Sequence, residues 1–188
     1  MQQWAELEKE CLDCTRCGLC AGRTNVVFGV GNTEAPIMFI GEGPGEQEDL
    51  QGVPFVGPAG KLLDDMLSII DLDRTNVYIA NVVKCRPPKN RDPSEEEQDA
   101  CIDYLRRQVA YVKPKIIVCL GRIAAKRIID PNYRITKEHG DWIQRNGVWM
   151  TAIYHPSALL RDVTKRPETF EDLLSLREKI REVGARGE

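Results

Sequence analysis

Two short segments combine residue types that could bind a flat polar ligand and act on it. The glycine-rich segment Gly41–Asp49 follows the apolar run 37–40, and His155–Arg161 follows the apolar run 148–154. We predict that each is a loop at the carboxyl end of a strand, where open parallel sheets build their ligand sites. A glycine loop lets the backbone come close to a ligand, and a histidine at a second strand end can face it.

The glycine loop has a second interpretation as a dinucleotide-binding fingerprint. Gly41 and Gly43 follow a predicted strand, but Glu46 stands where the third glycine should be. The segment 46–49 also brings three carboxylates to the place where a pyrophosphate would bind. Nucleotide binding is therefore disfavoured.

Asn81 is a third candidate because it ends another apolar run, 77–80. An asparagine at a strand end often only forms a turn. Its amide group, however, both donates and accepts hydrogen bonds, so it can recognise a ligand that does the same.

The seven cysteines provide two candidate sets of metal ligands. The first set is the evenly spaced run Cys11, Cys14, Cys17 and Cys20, which is close to the bacterial ferredoxin pattern. The second set is Cys14 and Cys17 together with the distant Cys85 and Cys101. Cys101 has a competing interpretation as a core cysteine, because apolar side chains share its helical face. Cys119 lies inside an apolar strand and is expected in the core.

Composition limits the kind of protein this is. No apolar stretch approaches the ~20 residues needed to cross a membrane, so no membrane contact is expected. The first residues lack the basic and apolar regions of a signal peptide. We therefore expect a cytoplasmic protein, in which cysteines serve as metal ligands more readily than as disulfides. The net charge of -3 does not indicate a nucleic-acid binder, so any DNA contact needs a local basic surface. The densest candidate surface is Lys84, Arg86, Lys89 and Arg91.

Strand-like and helix-like segments alternate along the chain. Strands are predicted at 37–40, 77–80, 115–120 and 148–154. Helices are predicted at 3–10, 61–70, 94–112, 122–129 and 171–183, with a cysteine-rich turn at 11–20 and loops at 41–60 and 86–93. Ser94 and Glu97 form a capping box at the start of one helix. The pattern predicts an α/β fold, a three-layer α/β/α sandwich with a central four-stranded parallel sheet.

These motifs, in this order, resemble the uracil-DNA glycosylase superfamily. The cysteines narrow the resemblance to family 4, the iron–sulfur type found in thermophiles, which carries C-x2-C, then C-R-P-P, then a cysteine in the next helix. The resemblance implies a [4Fe–4S] cluster held by Cys14, Cys17, Cys85 and Cys101. Cys11 and Cys20 are then surplus thiols. The chain is expected to be one glycosylase domain over residues 1–188 with an N-terminal cluster-binding segment.

The resemblance also implies roles for the strand-end residues. The catalytic residues would be Asn81, His155 and Glu42. Because Gly43 carries no side chain to activate water, Glu42 is one candidate for that role, and a largely dissociative path with weak water activation is the other option. The uracil pocket would be lined by Gly41, Gly43, Gly45, Glu48, Phe55, Asn81 and His155. Phe55 would stack on the base, and Glu48 would exclude the methyl group of thymine. Leu159 or Leu160, expected in a loop, would wedge into the space that the flipped base leaves.

The expected activity is that of a monomeric, monofunctional glycosylase that removes uracil from single- or double-stranded DNA and leaves an abasic site. No covalent trapping of DNA is expected, since the segment 86–93 contains no histidine. His139 is expected on the surface. Two alternatives stay open: a ferredoxin-like electron carrier and an iron–sulfur DNA-binding module without glycosylase activity. The sequence carries no signal for or against contact with a sliding clamp.

Overall fold

The computed structural model describes residues 1–185 of the chain, and its helices and strands alternate as predicted. The helices are α1 (Gln2–Leu12), α2 (Leu19–Gly22), α3 (Glu46–Gln51), α4 (Pro58–Ile69), α5 (Glu95–Val112), α6 (Arg122–Ile128), α7 (Ile135–Glu138), α8 (Pro156–Arg161) and α9 (Arg166–Glu182). The strands are β1 (Val30–Gly31), β2 (Ile37–Gly41), β3 (Tyr78–Asn81), β4 (Ile116–Leu120), β5 (Ile143–Arg145) and β6 (Val148–Ile153). Short 3-10 turns cover Pro88–Asn90 and Val163–Lys165.

The strands form one mixed sheet in the order β1-β3-β2-β4-β6-β5. The four inner strands are parallel, which confirms the predicted parallel centre. The two edge strands pair antiparallel with their neighbours and were not predicted. They are only two and three residues long, and neither has the apolar run that marked the inner strands.

Helices cover both faces of the sheet because the side chains of each inner strand alternate between two cores. In β2, Met38 and Ile40 pack with residues of α1, α5 and α6. Ile37 and Phe39 pack on the other face with residues of α4, α8 and α9. Every residue of β2, β3 and β4 is buried, as expected for parallel strands inside a three-layer sandwich.

Several helix limits differ from the prediction. The segment 41–60, predicted as a loop, contains α3 and the start of α4, and Pro58 lies in the first turn of α4. Helix α8 occupies a segment predicted as a loop, and the side chain of His155, the residue before it, caps its N-terminus. Helix α9 starts earlier than predicted, with a proline in its first turn. The capping box at Ser94 and Glu97 is present as predicted.

Within residues 1–185, no helix is both long and apolar enough to cross a bilayer. The prediction of a single domain over 1–188 stays a prediction, and its last three residues lie outside the described part of the chain.

Candidate active site and cysteine cavity

A cavity of about 700 Å³ opens at the carboxyl ends of the inner strands. The chain leaves β2 for β3 on one side of the sheet and later returns to β4 on the other side, so the loops after β2 and β4 diverge here. Such a switch point is where open parallel sheets bind ligands. The predicted segments after β2, β3 and β6 all reach this cavity, which we call the strand-end pocket.

Gly41 keeps a slot open in the strand-end pocket. A Cβ atom at this position would lie 2.5 Å from Asn81 Oδ1 and 2.6 Å from Phe55 Cζ. Gly43 is similarly constrained, since its Cβ would lie 2.7 Å from the side chain of Val83. The glycines therefore allow the backbone of the loop to pack directly against the groups that line the pocket.

Asn81 presents an unsatisfied hydrogen-bond acceptor to this slot. The residue is 2% exposed. Its Oδ1 atom has no hydrogen-bond partner among residues 1–185. A buried amide oxygen without a partner costs roughly 1–3 kcal/mol, so such an atom points to a missing donor. A bound ligand with an N–H group would supply it.

His155 also lines the strand-end pocket and is held there as a neutral donor. Its Nδ1 atom accepts a hydrogen bond from Ser157 N at 3.0 Å and lies 2.7 Å from Ser157 Oγ. Because a backbone N–H can only donate, Nδ1 is the acceptor and the proton lies on Nε2. Burial, together with the nearby positive charge of Arg161, lowers the pKa of His155 to about 4, so the ring is neutral at pH 7.

Phe55 stacks near the His155 ring, with the ring centroids 5.6 Å apart and the planes at 29°. Its backbone has a φ of 53°, which is unusual for a bulky residue. Arg74 holds this conformation, because its guanidinium donates to Pro54 O at 2.9 Å and also to Phe55 O. Gly60 packs on the same carbonyl and leaves no space for a side chain there. Neither Arg74 nor Gly60 was identified from the sequence.

Glu48 organises the glycine loop through its carboxylate. One oxygen accepts from Val56 N and Gly57 N at 3.0 Å each, and the other accepts from Gly45 N at 3.1 Å. The carboxylate thus joins both ends of the segment that carries Phe55. Three backbone donors fix its position in the wall of the strand-end pocket.

Glu42 lies beside a second carboxylate in the pocket. Burial and the negative charge of the neighbouring Asp92 raise the pKa of Glu42 to about 7. Arg122 and Arg161 act in the opposite direction. Arg122 Nη2 also lies 2.5 Å from Asp92 Oδ2, so Asp92 has a partner of its own. Glu42 is therefore poised to exchange a proton near neutral pH.

Helix α8 places the two leucines that were candidate wedges in different surroundings. Leu159 is 2% exposed and belongs to the core, whereas Leu160 is 42% exposed. The prediction of Leu159 as a wedge is wrong, because the helical turn points it inward. Leu160 remains the candidate.

The predicted basic surface is smaller than expected. Lys84 is 2% exposed and is not a surface residue. Arg91 is exposed but pairs with Glu97 at 2.7 Å. Arg161 and Lys165 line the strand-end pocket instead and place positive charge at its rim.

His139 was expected on the surface, and this prediction is wrong. Its side chain is 17% exposed, and its Nδ1 lies 2.7 Å from Asp172 Oδ2. The ring also packs against Tyr154, with centroids 4.9 Å apart. Asp172 is 33 positions away in the chain, so local sequence could not indicate this pairing.

Six cysteines line a second, smaller cavity between the N-terminal segment and α5, here called the cysteine cavity. They are Cys11, Cys14, Cys17, Cys20, Cys85 and Cys101. Cys119 is fully buried in β4, as predicted. No three His, Cys, Asp or Glu side chains within residues 1–185 are arranged to hold a single metal ion. A four-iron cluster gives each thiolate its own iron, so its ligands stand farther apart than those of one ion.

N–H groups point at three of these sulfur atoms. Cys14 Sγ accepts from Arg16 N at 3.5 Å, and Cys85 Sγ accepts from the Arg23 side chain at 3.5 Å. Cys101 Sγ accepts from Lys84 N at 3.3 Å. Within residues 1–185, no N–H group donates to the sulfur of Cys11, Cys17 or Cys20. Donors of this kind stabilise thiolates, so Cys14, Cys85 and Cys101 have surroundings that fit ligands of an iron–sulfur cluster, and the donors do not distinguish among the other three cysteines of the cavity.

Comparison with known proteins places this geometry in a family. Residues 28–176 match the model of the uracil DNA glycosylase superfamily. A type-4 uracil-DNA glycosylase of Archaeoglobus fulgidus is 46% identical over an alignment of 191 positions, gaps included, that covers 97% of this chain and 94% of that protein. One of Sulfurisphaera tokodaii is 45% identical over 95% of this chain and 85% of its own length. The type-4 uracil-DNA glycosylase of Thermotoga maritima is 45% identical over 91% of this chain and 91% of its own length.

The chain belongs to the uracil-DNA glycosylase superfamily and, within it, to the type-4 uracil-DNA glycosylases. The family predicted from the sequence motifs is confirmed.

Proposed function

We propose that this type-4 uracil-DNA glycosylase flips uracil into the strand-end pocket and hydrolyses its bond to the sugar, leaving an abasic site. As a hydrolase of N-glycosyl bonds in DNA repair, it needs a pocket that recognises one neutral base. The observation that carries the proposal is the buried Asn81 Oδ1, which has no partner within residues 1–185 and, like the Phe55 ring, lies against Gly41.

Asn81 distinguishes uracil from cytosine. Its Oδ1 accepts from uracil N3–H, and its amide nitrogen donates to uracil O4. Cytosine offers an acceptor and a donor in the reverse positions, so each contact would become repulsive. The buried setting makes this mismatch costly, because water cannot replace the lost hydrogen bonds.

Phe55 and Glu48 select the base by shape. The Phe55 ring provides a flat apolar surface for stacking, and Arg74 holds it in place. Glu48 lies next to uracil C5 and blocks the methyl group of thymine. Its three backbone hydrogen bonds support this role, since a fixed carboxylate cannot swing away to admit the larger base.

His155 stabilises the leaving uracil. As the glycosidic bond lengthens, negative charge develops on uracil O2, and the Nε2–H group of a neutral imidazole can donate to it. Ser157 fixes this tautomer through Nδ1. The low pKa keeps the ring neutral, so no proton has to be lost or gained during the step.

Glu42 activates the water molecule that attacks the sugar. Its carboxylate can take a proton from water once it is ionised, and its raised pKa makes it an effective base near neutral pH. Leu160 fills the gap in the DNA stack, while Arg161 and Lys165 hold phosphates at the rim of the pocket.

Cys14, Cys17, Cys85 and Cys101 hold a [4Fe–4S] cluster, which stabilises the fold when bound. Cys85 lies four residues after Asn81 in the chain. The cluster therefore ties the segment that follows β3 to the N-terminal segment and to α5. The enzyme acts as a monomer on single- or double-stranded DNA.

An excision assay tests this proposal. The purified protein is mixed in excess with single-stranded oligonucleotides that contain one uracil, thymine or cytosine, and free base and alkali-labile sites are measured. We expect uracil to be released with one abasic site per uracil, and no release of thymine or cytosine. Release of thymine at a comparable rate, or binding without release of uracil, would contradict the proposal.

A further inference from the structure

Lys84 carries a buried positive charge with no negative partner among residues 1–185. The residue is 2% exposed. Its Nζ atom donates to Gln108 Oε1 at 2.6 Å, and no carboxylate of residues 1–185 forms an ion pair with it. A fully buried ammonium group is very unfavourable unless an anion balances it. The structure therefore lacks a counter-charge at this point.

Gln108 orients Lys84 but cannot neutralise it. Its amide nitrogen donates to Phe28 O at 2.9 Å and to Tyr78 Oη at 3.2 Å, so its oxygen is left facing the lysine. Gln108 itself is fully buried. This arrangement holds the ammonium group in one place with a neutral acceptor on one side.

Lys84 also lines the cysteine cavity, together with Cys11, Cys85 and Cys101, and its backbone nitrogen donates to Cys101 Sγ. Four thiolates outweigh the positive charge of the oxidised cubane core, so the assembled cluster is an anion. Since no carboxylate of residues 1–185 pairs with Lys84, a cluster bound in this cavity would balance its charge.

We propose that Lys84 is the buried counter-ion of the iron–sulfur cluster, which it retains and whose reduction it favours. This inference rests on the proposed cluster and its ligands. Arg23 also donates to Cys85 Sγ, but it lies at the edge of the cavity, where solvent weakens its effect. Lys84 is shielded from water, so its charge would be screened less than that of Arg23.

The test replaces Lys84 in the complete, cluster-loaded protein. Lys84→Met removes the charge and keeps the apolar stem, and Lys84→Gln removes the charge but can still hydrogen-bond to Gln108. Lys179→Met is the matched control, because Lys179 is also mostly buried, at 13% exposure, and pairs with Glu182. It packs 3.9 Å from the centre of the Trp149 ring, in the core on the other face of the sheet.

Three quantities are measured: iron and sulfide per chain, the half-time of bleaching in excess chelator, and the midpoint potential of the cluster. We expect both Lys84 variants to bleach about tenfold faster and to have a more negative midpoint potential than the parent, because a nearby cation favours the more negative reduced state. Lys179→Met should match the parent in all three.

The outcomes separate this inference from the cluster assignment. Parent protein without iron and sulfide would refute the cluster and, with it, the role of Lys84. A normal cluster in the parent, with unchanged bleaching and potential in the soluble Lys84 variants, would overturn the counter-ion role alone. Equal changes in the Lys179 control would also overturn it, since they would indicate general destabilisation.

Discussion

The strand-end pocket and the cysteine cavity differ in what they lack. In the pocket, two of the groups that would contact the ligand already have protein partners: Glu48 accepts three backbone hydrogen bonds, and His155 is fixed by Ser157. Its open position is a neutral acceptor, Asn81 Oδ1. The cysteine cavity instead contains a buried cation, Lys84, whose hydrogen-bond partner is neutral. The pocket is thus prepared for a neutral ligand, and the cysteine cavity for an anionic group that stays bound.

Among the substitutions that test this difference between the two cavities, removing a cluster ligand should have the largest effect. We expect Cys101→Ala to lose the cluster completely and to lower the melting temperature, because an absent ligand leaves the thiolates and Lys84 without their partner. Cys20→Ala is the matched control and should keep a normal iron content. Iron analysis and thermal melting check both. Loss of iron in Cys20→Ala but not in Cys101→Ala would favour the ferredoxin-like ligand set.

Replacing His155 should have the next largest effect, confined to the pocket. Loss of one preorganised donor to a developing anion typically slows a reaction by about 10²–10³. His155→Ala should therefore slow single-turnover excision by roughly this factor, while DNA affinity and its salt dependence stay near the parent values. An equal loss of affinity and rate would mean that His155 positions the DNA instead.

Much of both regions was predictable because their residues follow strong local patterns. The inner strands stand out as continuous apolar runs, and Asn81 and His155 are found at their ends. The C-x2-C and C-R-P-P motifs marked three of the cysteines that line the cysteine cavity. These features depend on residues that are close together in the sequence, and such local patterns can be recognised in a single sequence.

The residues that were missed depend on contacts between distant positions. Arg74 supports Phe55 through backbone carbonyls 19 and 20 residues away, which no side-chain pattern reveals. Lys84 was assigned to a basic surface because its neighbours are basic, yet it packs into the core. Leu159 and Leu160 are equivalent in sequence, and only the turn of α8 determines which one is exposed.

Changing the amide of Asn81 tests whether the pocket selects a neutral ligand by hydrogen-bond pattern. Asn81→Asp places an acceptor against uracil O4, which should cost about 1–3 kcal/mol, or roughly 5- to 150-fold in the excision rate. Weak excision of cytosine should appear, since its amino group can donate to the new carboxylate. Asn146→Asp, in the exposed hairpin turn between β5 and β6, is the control. Unchanged uracil kinetics in Asn81→Asp would place this residue outside the pocket chemistry.

The pH dependence of excision distinguishes the contribution of Glu42 from that of His155. The pKa of Glu42 is raised to about 7, so its carboxylate is the major form above pH 7 and the minor form below it. If the ionised form activates water, the single-turnover rate should fall about tenfold from its plateau to pH 6. His155, with its pKa lowered to about 4, stays neutral over this range. The Glu42→Gln variant should be slower than the parent, and its single-turnover rate should not change with pH over this range. An unchanged slope in that variant would assign the titration to another group.

The smallest effect is expected at Arg74, which acts on the pocket through Phe55. Arg74→Met removes the donors to Pro54 O and Phe55 O, so the left-handed conformation of Phe55 loses its support. Conformations of this kind cost about 1–3 kcal/mol and persist only where their surroundings hold them. We expect free uracil to inhibit the variant about threefold to tenfold more weakly, because the stacking ring is no longer preset, while cluster content stays at the parent level. Asp64→Asn, which weakens the ion pair of Arg74 at 2.7 Å but leaves its two bonds to the loop, should change uracil inhibition less. If Arg74→Met lowers the melting temperature without altering uracil inhibition, Arg74 supports the fold and not the base-stacking surface.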